Sequence, residues 1–140
     1  MTADEIIVAL NLSAHPEGGW FKETWRADAN NGERAGGTAI YYLLKAGERS
    51  HWHRVDATEI WHYYAGAPLK LSISEDGRRQ EDLILGPDLS AGEAPQLIVP
   101  PHAWQAAESL GDFTLVGCTV SPAFEFSGFE MAPDNWAPKA

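Results

Sequence analysis

The sequence predicts an all-β fold, a closed barrel or a two-sheet sandwich of antiparallel strands, led by one short helix. Three observations carry that expectation. Short segments rich in Val, Ile, Tyr, Trp and Thr recur along most of the 140 residues, and such side chains suit a pleated, half-buried surface. Turn chemistry separates them, with Asp76-Gly77 as a tight hairpin signal and Gly86-Pro87, Gly92 and Gly111-Asp112 as further breaks. Nothing between the first and last strands reads as a crossover helix, so the strands are expected to be antiparallel and to protect their edges by closing or doubling.

Taken in order, residues 2 to 12 read as the helix. Thr2-Ala3-Asp4-Glu5 has the spacing of a capping box, and Ile6, Ile7 and Leu10 share one face. Strands are expected over Gly19 to Arg26, Thr38 to Leu44, Ser50 to Arg54, Glu59 to Ala65, Lys70 to Ser74, Gln80 to Leu85, Gln96 to Val99, Ala103 to Glu108 and Phe113 to Val120. Consecutive hairpins are the simplest connection between them. In HPEGGW, His15, Pro16 and the pair Gly18-Gly19 read as a turn that starts the first strand. The tail, about 130 to 140, is Pro-rich and expected to be irregular, with Trp136 free to dock on the barrel.

The length suits one domain over residues 1 to 140. A formal net charge of -10 argues against nucleic acid and against an anionic membrane surface, since both are recognised by Lys and Arg clusters. No apolar run approaches the roughly 20 residues that span a bilayer. MTADEIIVAL carries acids where a secretory leader carries positive charge, which leaves the cytoplasm as the expected location. Cys118, the single cysteine, lies in the apolar run FTLVGCTV and reads as packing.

The chemistry concentrates in His51-Trp52-His53 and Glu59. In a regular strand, residues two apart point to one face about 6.6 to 6.8 Å from each other, so two imidazoles can converge on one metal ion or one substrate. Glu59 starts an apolar strand, where a carboxylate is poorly explained by packing. If Glu59 faces inward, parity sends Trp61 and Tyr63 inward too.

At this level the chain resembles the cupins. His51-x-His53, Glu59 and Gly66 are similar to the first cupin motif, and Val99-Pro100-Pro101-His102-Ala103-Trp104-Gln105 to the second. A narrower resemblance joins these blocks to HPEGGWFKETWR, TAIYYLL, SHWHR, EIWHYYAG and VGCTV. It points to a family of small cupins labelled predicted sugar epimerases, and runs from about residue 5 to about residue 130. His102 and Ala123 stand where that family generally has Gly. The resemblance implies a double-stranded β-helix, the cupin jelly-roll barrel. It also implies a homodimer, and a divalent metal (Mn, Fe, Ni or Zn) held by His51, His53, Glu59 and Gln105, with Gln105 in place of the His that is usual as the fourth ligand.

Two chemistries follow. With a metal, two imidazoles and a carboxylate leave open positions for a Lewis acid. Without one, His51, His53 and Glu59 form a coupled acid/base group, with Tyr63 returning a proton to the opposite face, as an epimerase requires. Trp61, Trp104 and Tyr41, with Trp52 and Tyr63, offer rings to stack on a sugar, and Glu23 and Arg26 belong near the barrel mouth. Gln105 and Trp104 have opposite parity, so an unbroken strand turns only one of them inward. The expected function is an isomerase or epimerase acting on a sugar or similar polar metabolite. The alternatives are a ligand-binding cupin without catalysis and a metal-dependent dioxygenase or lyase.

Overall fold

The computed structural model describes residues 1–140. Its helix α1 spans Ala3–Ala9 and starts at Thr2, whose hydroxyl accepts from Glu5 N at 3.2 Å while the Glu5 carboxylate accepts from Thr2 N at 2.9 Å. The expected capping box therefore forms in both directions. No helix is long and apolar enough to cross a membrane. Eleven strands follow: β1 Ser13–Ala14, β2 Trp20–Arg26, β3 Thr38–Lys45, β4 Arg49–Val55, β5 Thr58–Gly66, β6 Leu69–Ser74, β7 Glu81–Leu85, β8 Gln96–Val99, β9 Trp104–Ser109, β10 Phe113–Ser121 and β11 Phe129–Met131. The nine expected strands lie within a residue of these bounds. The two short ones, β1 and β11, lack an apolar run and escape a reading based on periodicity.

Two antiparallel sheets face each other, ordered β1-β2-β3-β10-β5-β8 and β11-β4-β9-β6-β7. This is a jelly-roll arrangement, and it corrects the expected run of consecutive hairpins. β3, β4 and β5 follow one another in sequence, yet β3 pairs with β10, β4 with β9, and β5 with β10 and β8. The chain steps from sheet to sheet because each sheet can bury its apolar face only against the other.

Parity along the strands builds the core. Tyr42 and Leu44 from β3, Trp61 from β5, Leu69 and Leu71 from β6, Leu85 from β7, Val99 from β8 and Val116 from β10 form one cluster between the sheets. Each such side chain contributes about 2 kcal/mol by leaving water. On the outer face of the first sheet, Ile6 and Leu12 cover Leu43. On the outer face of the second, Trp52 and Ala106 meet Ala132, with Trp104 and Trp136 packed against them. Trp136 thus docks edge-on to Trp52 at 5.8 Å and against Trp104 at 4.6 Å, fastening the tail to the barrel.

β4 departs from regular pairing in a way that governs the site. Ser50 lies opposite Ala107 and His53 opposite Gln105, so three residues on β4 span two on β9. The extra residue is a β-bulge, which resets which side chains point inward.

Candidate active site in the barrel

A cavity of about 510 Å³ opens at one end of the barrel. Its inner wall comes from strands: Thr38 and Ile40 on β3, His53 and Val55 on β4, Glu59 on β5, Cys118 and Val120 on β10. Phe21, Glu23 and Arg26 of β2 form one side of the mouth, and Phe124, Glu125, Phe126 and Ser127 the other. The loop between β1 and β2 contributes His15 and Glu17.

That loop reaches the barrel interior because of its glycines. A Cβ on Gly18, whose φ is +110°, would lie 1.9 Å from the Arg49 carbonyl oxygen. Only glycine permits both the dihedral and the approach. The Tyr42 hydroxyl donates to the Gly18 carbonyl, and His51 N donates to Glu17 O at 2.9 Å. Glu17 is thereby laid along β4 beside the bulge, its side chain turned inward.

Inside, Glu17 Oε2 lies 2.8 Å from His53 Nε2, with the two side chains 8% and 3% exposed. The other ring nitrogen, Nδ1, is 2.7 Å from His51 O. Both nitrogens face acceptors, so both carry protons and the ring is an imidazolium. Burial alone would depress the His53 pKa. The Glu17 carboxylate, its hydrogen bond and the nearby Glu59 outweigh burial and raise it to about 9. Burial likewise pushes Glu17 upward, but the charge of His53 holds it below the usual carboxylate range. Phe129 of β11 stacks on the imidazolium at 5.4 Å and 29°.

Glu59 sits deeper, 7% exposed. Its Oε1 accepts from Gln105 Nε2 at 2.8 Å, and Gln105 Oε1 accepts from Trp61 Nε1 at 2.9 Å. Burial raises its pKa to about 7; the His53 charge and the Gln105 hydrogen bond restrain the rise, and Glu17 adds to it. Burial also drives the neighbouring Cys118 thiol far above its ordinary value, so it stays protonated.

The expected site residues divide. His53, Glu59 and Gln105 are brought together, and Glu23 stands at the mouth in an ion pair with Arg26 at 2.7 Å. His51 is not brought to the cavity. The bulge turns it to the outer face, where Nε2 meets Pro133 O at 3.0 Å. Tyr63 keeps its parity but lies at the far end of β5, its hydroxyl donating to Gly66 O at 2.6 Å. Trp61 is core beneath the cavity, 1% exposed. Trp104 faces outward, as its parity against Gln105 requires, with the Arg54 guanidinium 4.4 Å above its ring. Tyr41 lies on the outer face of the first sheet, edge-on to Tyr64 at 6.2 Å, and its neighbour Tyr42 takes the interior.

Sequence reasoning missed His15, Glu17 and the aromatic rim. The signal for Glu17 was a carboxylate beside two glycines, a pairing that also describes an ordinary surface turn.

The expected metal set does not fit. His51 points away, both nitrogens of His53 are engaged with acceptors, and both amide atoms of Gln105 are taken by Trp61 and Glu59. A protonated imidazole has no lone pair to offer a cation. No group of three or more His, Cys, Asp or Glu side chains has the geometry to hold an ion.

The rim is fixed by ion pairs. Arg34 grips Asp56 in a fork at 3.0 and 2.7 Å and donates to Ala123 O at 2.9 Å. Arg26 Nη2 donates to Phe124 O at 3.0 Å, and Phe124 N donates to Thr38 Oγ1 at 3.0 Å. These bonds set Phe124 and Phe126 over the opening, their rings 5.0 Å apart.

Comparison with known proteins places this arrangement. The family model described as Cupin superfamily (DUF985) matches residues 4–132. A protein from Shewanella oneidensis solved by X-ray crystallography is 39% identical, with a TM-score of 0.90 over 94% of this chain and 85% of its own. A hypothetical protein from Leishmania major is 31% identical, with a TM-score of 0.85 over 94% and 88%. Among curated proteins, an oxalate decarboxylase of Arthroderma benhamiae is 31% identical over 82% of this chain, which spans 28% of that protein's length. Oxalate decarboxylase from Bacillus subtilis shares the fold at 13% identity, with a TM-score of 0.65 over 84% of this chain and 29% of its own.

Proposed function

The chain belongs to the cupin superfamily, in the family DUF985, and from that premise we propose that it is an isomerase that moves a proton on a small polar hydroxy-carbonyl compound of the sugar type. One observation carries the reading: of the two buried carboxyls in the cavity, Glu17 is paired with His53 at 2.8 Å while Glu59 has no cation within ion-pair distance, and burial raises its pKa to about 7. A group poised near working pH serves as base and then as acid, and a nearby positive charge stabilises an enolate.

In this reading the Glu59 carboxylate removes the proton from the carbon next to the substrate carbonyl. The electron pair of the broken C–H bond becomes the enolate, whose charge His53 offsets through space. The hydroxyl proton of this enolate passes to the other oxygen, and Glu59, now protonated, returns its proton to the former carbonyl carbon, so that the new C=O forms on the carbon that lost the hydrogen. An epimerase working from two faces needs a second group opposite the first. Tyr63 and His51, which the sequence offers for that task, lie elsewhere. The arrangement therefore favours one-base isomerisation over two-base epimerisation.

The name of the curated relative, oxalate decarboxylase, raises a metal-dependent lyase as another reading. The donor set argues against it, and so does the shortage of free positive charge for a dianion. A ligand-binding role without catalysis is favoured by one observation, the engagement of the polar side-chain atoms of His53 and Gln105 by other groups of the protein.

The test is deuterium wash-in from D₂O, followed by NMR, over a panel of aldoses, ketoses and hydroxy-keto acids. Exchange next to the carbonyl is expected, and Glu59→Gln is expected to remove it. Binding without exchange would establish the non-catalytic role, and exchange that survives the substitution would remove Glu59 from the chemistry.

A further inference from the structure

The cavity holds four carboxyl groups and almost no free positive charge. Glu17 is matched by His53 at 2.8 Å, Glu23 by Arg26 at 2.7 Å, and Glu125 faces Arg34 at 3.7 Å. Glu59, the fourth, has no cation of its own within ion-pair distance. Arg26 is the one guanidinium in the lining. It is held by both Glu23 oxygens, at 2.7 and 3.4 Å, and by Phe124 O at 3.0 Å. A phosphate or carboxylate entering this space would break one of these pairs or remain uncompensated among carboxylates. An unpaired buried charge costs several kcal/mol.

One nitrogen in the lining has no partner within the protein. The side chain of His15 is 6% exposed and its Nδ1 accepts from Glu17 N at 3.1 Å. The proton of the neutral ring therefore sits on Nε2. Nε2 takes part in no hydrogen bond within the protein, although His15 lines the cavity with its ring packed edge-on to Phe21 at 4.5 Å. Burial lowers its pKa, which keeps the ring neutral. A neutral N–H donor that nothing in the fold satisfies suits a neutral oxygen of a bound molecule. The apolar walls, Phe21, Ile40 and Phe124 among them, suit the C–H face of a sugar ring. A volume of about 510 Å³ is ample for six carbons.

We propose that the ligand of the barrel is an uncharged hydroxy-carbonyl compound, a free sugar rather than a sugar phosphate, nucleotide sugar or sugar acid, and that His15 Nε2–H donates to one of its oxygens. This rests on the isomerase reading of the same cavity and names its substrate class. His15 is a binding residue; the proton chemistry stays with Glu59.

The experiment compares matched pairs on the full chain: glucose, mannose and fructose against their 6-phosphates, and glucose against glucuronate. Binding is measured by calorimetry at pH 7.5, and deuterium wash-in is read on the same samples. The neutral sugars are expected to bind at least tenfold more tightly than their charged partners. His15→Asn keeps a group near the backbone and loses the distal donor, so it is expected to weaken neutral-sugar binding about tenfold. His15→Gln restores a donor at the distal position and is expected to recover most of it. Tighter binding of phosphates or glucuronate overturns the substrate class, and wash-in on those compounds that Glu59→Gln removes would leave the isomerase standing. Failure of every pair to bind overturns the substrate class as well. Equal binding by wild type, Asn and Gln variants overturns the role of His15.

Discussion

Replacing Glu59 by Gln isolates the energetic cost of the group proposed to do the chemistry. In the folded protein the Glu59 carboxyl titrates near 7 instead of 4.5, chiefly because burial disfavours its charge. A raised carboxyl pKa means that the unfolded chain gives up its proton first as pH increases. Wild-type stability is therefore drained between pH 4.5 and pH 7 and stays reduced above that. The rise of about 2.5 pH units, at about 1.4 kcal/mol for each, amounts to about 3 kcal/mol. Gln cannot ionise, and its amide oxygen still accepts from Gln105 Nε2. The stability of Glu59→Gln relative to wild type should then grow by about 3 kcal/mol between pH 4 and pH 8, equivalent to about 10 °C in Tm. His53, titrating near 9, stays protonated over most of that range. Urea unfolding of both proteins at five pH values reads the difference directly and cancels the pH dependence that they share. A gap that stays flat, or narrows toward pH 8, would refute the account of Glu59 as a buried carboxyl kept out of water at a cost.

Three further outcomes are expected. Glu17→Gln leaves the His53 charge buried opposite a neutral amide, so it should cost about 3 to 5 kcal/mol at pH 7. The stability that His53 gains from Glu17 is present below pH 6.5 and lost as pH rises through about 9. The penalty should therefore shrink toward pH 9 in chemical denaturation, and one that grows would contradict the imidazolium. His51→Ala removes only the contact with Pro133 O; a loss of about 1 kcal/mol is expected, with sugar binding changed less than twofold by calorimetry. Elemental analysis of protein purified without chelators should find less than about one metal ion per ten chains, since protonated His53 offers no lone pair. A stoichiometric metal that Glu59→Gln releases would reverse the reading of the donor set.

The positions of nine of the eleven strands were legible in the sequence because each is a run rich in β-branched, aromatic and other apolar residues with Gly, Pro or Asp close to its end. Pairing was not, since β3 finds β10 some seventy residues away and no local signal names that partner. Glu59 could be singled out because a carboxylate that opens an apolar strand has no packing explanation. His51 could not be told from His53. Both sit in the same three-residue unit, and only the count of residues opposite Ala107 and Gln105 on β9 reveals the bulge between them. Parity was right for Trp104 against Gln105 and for Tyr63, but parity gives a face and not a depth, and Tyr63 lies too far along β5 to reach the cavity. Glu17 stayed hidden because its placement depends on how closely Gly18 approaches β4, a tertiary fact.

Six of the sixteen residues that line the pocket come from two segments far apart in sequence. His15 and Glu17 come from the loop between β1 and β2, and Phe124 to Ser127, with Phe129 over His53, come from the segment after β10. The strands between them make a shell whose interior is unfinished until both segments have been laid against it. Without the first segment His53 would lose its carboxylate partner, and without the second the cavity would lose its aromatic rim and the ring stacked on His53.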